Sequence, residues 1–556
     1  MNKKNYPVLD ERKIAFAVMP EIFTAYTGTR INAATQVFPI QAYQWLSAYL
    51  KLNLKGFKTC VIDMGIIELE LAWHTYKRFL LEERPKYLGL MVVTPSFFST
   101  KLAGIIAKEV LGPELVLIHG GVHASNLASE ALSETLCDVV VKGEGEATLA
   151  DICSGMPIKD VRGVFYRTGE DDRSIKTTTD EIIRRLSTGE LAYYVALDAM
   201  YPPEQSVKLE VLETPPRKFL TMDDLPPLDL DLYPYYLYKM PRLLAHEHPW
   251  IGFETSRGCP FHCNFCSAED AYRVFSPDKV IELMKYFKFR NIKELRITDD
   301  QYLTNVKRGK IIHQKMLEHG LHFAINLGNG VRADRIDREF LDLATRTGLY
   351  SLGAGFESGD QDALDSIQKS LSLDKSIECM KLLKEFNVET IGFFMIGAPK
   401  DTPRSMQKTI DFAKKLRPDF AKATIFTPFP DTRAFKDWKR AGLILSERWD
   451  LYNIHRAEGM FRHPNPELTP EVLRAWYNKF YREFYSPLHN PGYAFWKIKK
   501  SIGDGSFLRN VGYAAKTFFP RLFPASPLDN IRAGMKEAAK HQKDQIDSKE
   551  KPKDVV

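Results

Sequence analysis

The chain has 556 residues, 44% of them hydrophobic and 27% charged, and its 77 Lys and Arg against 71 Asp and Glu leave a formal charge of +6. That length buries large cores and holds roughly three or four domains, which excludes a fibrous or wholly disordered chain. So mild a basic surplus gives no ground for nucleic-acid binding. No apolar run approaches the ~18 residues of a membrane span, and "MNKKNYPVLDERK" lacks the apolar stretch of a signal peptide, so the expectation is a cytoplasmic protein.

From the N terminus, short β-branched runs alternate with amphipathic stretches. KIAFAV (13–18), KTCVID (58–63), YLGLMVV (87–93), LVLIHGG (115–121) and CDVVVKG (137–143) read as strands. IQAYQWLSAYLKL, ELELAWHTYKRFLLEE, STKLAGIIAKEVL and NLASEALSETL read as helices between them. This alternation predicts an α/β fold, a doubly wound, flavodoxin-like parallel sheet over 1–160. Residues 161–245 loosen into short strands and the proline-rich "MDDLPPLDLDLYPYY", which reads as a linker. A second series over 246–455 begins at WIGFETS (250–256). It continues through ELRITDD, HFAINLG, YSLGAGFES, VETIGFFMIG and PDFAKATIFTPF, six strands that predict a partial (β/α)6 barrel. Residues 456–535 are helical, basic and aromatic, and 536–556 are polar and expected to be disordered.

Of seven cysteines, Cys60, Cys137, Cys153 and Cys379 are scattered, and most of these read as buried thiols in a reducing compartment. The other three, Cys259, Cys263 and Cys266, share "SRGCPFHCNFCSAED" (256–270). That loop directly follows the first strand of the second series, at the carboxyl end where α/β barrels place their chemistry. Three thiols complete neither two disulfides nor a four-ligand zinc site, and His262, next to Cys263, is set in a different direction. A cubane 4Fe-4S cluster takes one thiolate per iron, so three cysteines leave one iron for a non-protein ligand.

CxxxCxxC with an aromatic before the last cysteine, here Phe265, resembles the signature of the radical S-adenosylmethionine superfamily. The resemblance implies that the open iron binds the amino and carboxylate groups of S-adenosylmethionine, whose reductive cleavage gives a hydrogen-abstracting 5'-deoxyadenosyl radical. It also implies cofactor contacts on later strands. These are Asp299 and Asp300 in RITDDQYL for the ammonium, Asn329 and Arg332 in NLGNGVRAD with Arg332 as a fork for the carboxylate, Glu357 and Ser358 in GAGFESGDQDAL for ribose or carboxylate, and Gly397 in GFFMIGAPKDT beside adenine.

The first sheet resembles the cobalamin-binding domain that precedes the radical domain in many of these enzymes. The residues that carry this are Thr94 and Ser96 in VVTPSFF, Gly120 and Gly121 in LIHGGVHAS, and Gly143, Glu144 and Gly145 in VVVKGEGEATL. The DxHxxG loop that places a histidine on cobalt in some cobalamin proteins is absent from "AVMPEIFTAYTGTR". His119 and His123 lie at the fourth strand and read as structural hydrogen-bonders.

Together these resemblances imply a cobalamin-dependent radical S-adenosylmethionine enzyme, of the class B methyltransferase or anaerobic magnesium-protoporphyrin ester cyclase-like family. The leading expectation is methylation of an unactivated carbon in a lipid-like or tetrapyrrole-like substrate, with an electron donor such as flavodoxin or ferredoxin. Oxidative cyclisation or carbon-carbon coupling is the alternative within the family, and a non-catalytic corrin-binding sensor the alternative outside enzymes. Residues 468–523 carry nine Lys and Arg against three Asp and Glu, with Trp476, Tyr477, Phe480, Tyr481, Phe484 and Tyr485 at helical spacing. Two readings stay open there, peripheral contact with the inner face of the membrane or an aromatic cap on the barrel; nucleic acid is a weaker third, because the patch lacks a known binding module.

Overall fold

The computed structural model describes residues 6–19, 39–67, 69–168, 178–188, 196–197, 210–235, 238, 245–455, 457 and 459–503. Most of the loop expected to lack a cobalt-binding histidine, the end of the basic helical region past residue 503 and the polar tail 536–556 lie outside these residues.

Seven strands form the first sheet: β1 (Asp10–Val18), β2 (Lys58–Asp63), β3 (Pro85–Met91), β4 (Val116–Gly120), β5 (Val139–Val141), β6 (Val164–Thr168) and β7 (Glu210–Glu213). Their order is β2-β1-β3-β4-β5-β6-β7, the first five parallel, β6 antiparallel to β5 and β7 antiparallel to β6. Near-continuous apolar runs such as Ile14–Val18 suit strands covered on both faces. One face packs Leu88, Leu117, Trp73 and Leu102, the other Phe16, Ile118, Tyr43 and Leu50. Chain direction across the sheet reverses between β1 and β3, which opens a crevice at their carboxyl ends. The short strands expected in the linker are β6 and β7, an antiparallel edge on this sheet. NLASEALSETL holds parts of two helices rather than one, Val122–Asn126 and Ala128–Glu134, because Leu127 takes a non-helical ψ of 45° between them.

The second sheet begins with β8 (Trp250–Phe253), on whose carboxyl end stands a small hairpin of β9 (Ser256–Arg257) and β10 (Arg273–Val274). It continues with β11 (Glu294–Ile297), β12 (Ala324–Val331), β13 (Leu349–Glu357), β14 (Glu389–Ile396) and β15 (Phe420–Ile425). All six main strands are parallel and lie in sequence order, as a partial (β/α)6 barrel requires. Leu295, Leu327, Leu352 and Phe394 join the core with helices such as Pro277–Phe289, while the alternate positions on β12 and β13 hold Gly328, Gly353 and Gly355.

Helix Pro470–Tyr485 settles what its aromatic stripe does. Leu473, Tyr477, Phe480 and Phe484 are buried. The Tyr481 hydroxyl accepts from Ala423 N and donates to Ala423 O (3.1 Å each), and that of Tyr485 does the same for Ala421 (2.9 Å each). Two phenols thus satisfy backbone groups that edge strand β15 would otherwise leave open. Among the described residues no helix is long and apolar enough to cross a membrane.

Candidate active site

The cysteine loop is closed by backbone geometry that only glycine tolerates. Gly258 has φ +79°, and a Cβ there would lie 2.4 Å from the Ala271 carbonyl oxygen. The following amide, Cys259 N, donates to Glu269 O (2.7 Å). Asn264 pins the other side: its N donates to Ile367 O (3.2 Å), its Nδ2 to Ser366 O (2.8 Å), and its O accepts from Ala434 N (2.9 Å). Cys259 and Cys263 are half-buried and Cys266 is exposed. Burial raises all three thiol pKa values; Arg332 opposes this at Cys259 and Cys263, and Lys369 at Cys263 and Cys266. Among the described residues no three His, Cys, Asp or Glu side chains are gathered closely enough to share one ion. A cubane asks for something else, one thiolate per iron at separate corners, and a three-thiol loop flanked by two cations fits that anionic group. His262 stands exposed beside Asp270, Nδ1 to Oδ1 3.6 Å.

Several polar residues singled out in the sequence converge on this loop. Asp300 Oδ2 accepts from Gly258 N (2.9 Å). Arg332 stacks on Phe261 at 4.2 Å; its guanidinium donates to Asp334, to Lys369 O (2.7 Å) and to Ser370 O (3.0 Å). Glu357 is buried at φ +60°, a backbone region that costs a non-glycine residue energy and is concentrated at functional sites. It pairs with Lys369 Nζ at 2.8 Å, over Gly355, where a Cβ would lie 2.7 Å from Glu357 Oε1 and 2.8 Å from that Nζ. Lys369, in the unremarkable stretch DSIQKS, carried no signal in the sequence.

The rest hold the frame. Asp299 accepts from Thr255 N (2.6 Å), Thr255 Oγ1 (2.7 Å) and Ser256 Oγ (2.5 Å), which commits it to the end of β8. Ser358 Oγ is buried against Thr409 Oγ1 (2.9 Å), Asn329 Nδ2 donates to Thr298 O (2.7 Å), and Phe265 packs half-buried on the core. Gly397 (φ +81°) donates to Asp401 Oδ2 (2.9 Å), and a Cβ on it would meet Leu473 at 2.7 Å.

A cavity of ≈ 270 Å³ opens at the crevice of the first sheet. Phe16, Leu46, Ile118 and Val141 make it apolar, while Gly120, Gly121, Gly143, Glu144 and Gly145 form its rim. A Cβ on Gly120 would meet nothing within 4 Å, so this glycine leaves ligand space. Gly121 (φ +91°) and Gly143 (φ +73°) need their left-handed turns. Glu254 and Arg257 of the second domain complete the wall. Thr94 and Ser96 do not line it: Thr94 Oγ1 meets His123 Nδ1 (3.2 Å), and Ser96, fully buried, bonds Val93. The hydrogen-bonding role expected of the two histidines holds for His123. Among the described residues it finds no counterpart for His119, whose buried ring nitrogens meet no partner there and whose pKa burial lowers to about 3.

Residues 253–413 match the Radical SAM superfamily. The chain is 26% identical over 445 residues, 78% of its length and 86% of the relative's, to an uncharacterized methyltransferase of Pyrococcus horikoshii. It is 24% identical over 434 residues, 77% and 69% of the two chains, to the anaerobic magnesium-protoporphyrin IX monomethyl ester cyclase of Rubrivivax gelatinosus. Its fold is that of OxsB, a cobalamin-dependent S-adenosylmethionine radical enzyme solved with aqua-cobalamin and S-adenosylmethionine bound (TM-score 0.61, 14% identity, 97% of this chain and 80% of that one). Residues 253–413, which carry the cysteine loop and the residues gathered around it, are therefore a Radical SAM domain. Beyond that domain the chain is similar over most of its length to methyltransferases and magnesium-protoporphyrin ester cyclases.

Proposed function

We propose that this enzyme is a cobalamin-dependent methyltransferase that methylates an unactivated carbon of a lipid-like or tetrapyrrole-like substrate. The observation that carries the reading is a shared wall: Glu254 and Arg257, which line the cavity on the first sheet, lie on the strand-to-loop segment that leads into Cys259. A ligand in that cavity and a cluster on the cysteines would face one another across it, the placement a two-cofactor reaction needs.

Cluster and S-adenosylmethionine supply radical initiation when bound, and the corrin a methyl carrier. The chain's own work is to hold and orient. Cys259, Cys263 and Cys266 would bind three irons as thiolates. Lys369 and Arg332 offset negative charge beside them, and Asp300, through the Gly258 amide, fixes the loop at its root. Gly120 keeps corrin space free while Gly121, Gly143 and Gly145 shape the rim.

A second reading, oxidative cyclisation or carbon coupling, draws support from the Rubrivivax gelatinosus relative. Anaerobic incubation with methyl-labelled S-adenosylmethionine and lipid or tetrapyrrole extracts separates the two. Label in an extract molecule supports methylation; product formed without label supports the cyclase reading. Intact cysteines speak against a corrin sensor. An electron donor such as flavodoxin or ferredoxin would reduce the cluster. With the stripe on Pro470–Tyr485 buried, peripheral membrane contact would fall to Phe495, Ile498 and Ile502, exposed on helix Pro491–Gly503.

A further inference from the structure

The inward face of the barrel carries a cation that the fold itself does not use. Strand alternation sets this face: Leu352 and Ala354 pack outward in the core, so Gly353 between them faces in. A Cβ on Gly353 would lie 2.5 Å from Phe393 Cε2, and one on Gly330 3.2 Å from the same atom, so the Phe393 ring lies across the inward face. Phe393 is in register with Gly355 on one side and with Lys422 on the other. Lys422 thus stands in the layer of Gly355, the glycine that seats the Glu357–Lys369 pair beside the cysteine loop.

Ala421 and Ala423 are buried and Lys422 between them keeps solvent access, yet the surrounding protein lowers its ammonium pKa below the usual lysine range. Among the described residues no hydrogen bond or ion pair engages its Nζ, in contrast to Lys500, which meets Asp419 at 2.6 Å. Its neighbour His455 is held neutral by burial and bonds Tyr477 (2.9 Å), so it brings no compensating charge. An ammonium on the inward face that keeps solvent access and has no protein partner among the described residues is free to pair with an anionic ligand.

We propose that Lys422 receives an anionic group of the substrate, a carboxylate or a phosphate, with the Phe393 ring against the adjoining apolar part. The inference rests on the enzymatic reading, because it makes the barrel interior the substrate site.

The test is calorimetric titration of the full-length, cluster-reconstituted protein with 1-naphthyl phosphate, 1-naphthoate and the neutral 1-naphthalenemethanol. At least one anion should bind about tenfold or more tighter than the alcohol, and the stronger of the two names the group. Lys422→Gln should remove that preference without changing the affinity for the alcohol, and Lys422→Arg should keep it. Equal binding of anions and alcohol, or an anion preference that survives Lys422→Gln, overturns the proposal. Failure of the wild type to form 5'-deoxyadenosine from S-adenosylmethionine would instead overturn the enzymatic reading, whatever the titrations give.

Discussion

Arg257 Nη1 stands 2.8 Å from Glu144 Oε1, joining the cysteine hairpin to the loop after β5 across 113 positions of sequence. The same guanidinium meets Glu146 (2.8 Å) and Glu254 (2.7 Å), and Arg273 also reaches Glu144. Three carboxylates crowd one arginine in a largely buried place, so removing the arginine strands their charges whereas removing one acid leaves it well paired. Arg257→Gln should destabilise by about 3–5 kcal/mol and Glu144→Gln by about 1 kcal/mol. Thermal unfolding of the two variants measures this; equal losses would show that Arg257 is not the hub.

Gly120 offers a test of the cavity without damage to the fold. Because a Cβ there meets nothing within 4 Å, Gly120→Leu should leave the melting temperature within about 2 °C and weaken cobalamin binding about tenfold or more. Spectroscopic titration with hydroxocobalamin reads the affinity, and an unchanged value would place the corrin elsewhere.

Asp63, at the end of β2, sets a pH dependence. Its carboxylate accepts from Tyr238 Oη (3.0 Å) and Gly65 N (3.0 Å), but burial outweighs both and pushes its pKa from 3.8 up to about 7. Between those values the folded chain keeps a proton that the unfolded chain has lost, so stability falls as pH rises through the window and levels off above it. Roughly three units at 1.36 kcal/mol each bound the effect at about 4 kcal/mol. Asp63→Asn keeps the bond from Gly65 N on its oxygen and can donate its amide to Tyr238 Oη in place of the second, so it should melt higher than wild type at pH 8 and no higher at pH 4. Part of the slope should survive in the variant, because burial also raises Glu254 to about 7.

The edge of the barrel gives a fourth expectation. Tyr481→Phe with Tyr485→Phe removes the phenols that serve both Ala421 and Ala423, and should cost about 2–4 kcal/mol and promote association through β15. Unfolding and light scattering of the double variant check this; a monomeric protein of wild-type stability would mean that the edge is satisfied otherwise.

Periodicity carried the strands well: KTCVID coincides with Lys58–Asp63, and VETIGFFMIG contains Glu389–Ile396. The cysteine spacing marks the loop after β8 as the candidate centre for a chemical reason, the count of thiolates against irons. Polar partners were less legible. The sequence singles out Asp299 and Glu144 as cofactor contacts; Asp299 also bonds Thr255 and Ser256, and Glu144, on the cavity rim, also pairs with Arg257 and Arg273. Nothing local in a sequence says which cation lies 113 residues away. Lys369, Glu254, Arg257 and Lys422 went unnoticed for the same reason, being defined by register and domain contact rather than by spacing. Thr94 and Ser96 sit at the right strand end but turn into the core.

The central claim is that the three cysteines hold a cluster with one iron open to S-adenosylmethionine. Anaerobic reconstitution with iron and sulfide, reduction, and electron paramagnetic resonance with and without S-adenosylmethionine tests it directly. Wild type should show a 4Fe-4S signal that S-adenosylmethionine alters and should release 5'-deoxyadenosine, while Cys266→Ala should lose cleavage and keep cobalamin binding. A wild-type cluster indifferent to S-adenosylmethionine, or cleavage that persists in Cys266→Ala, would contradict the account.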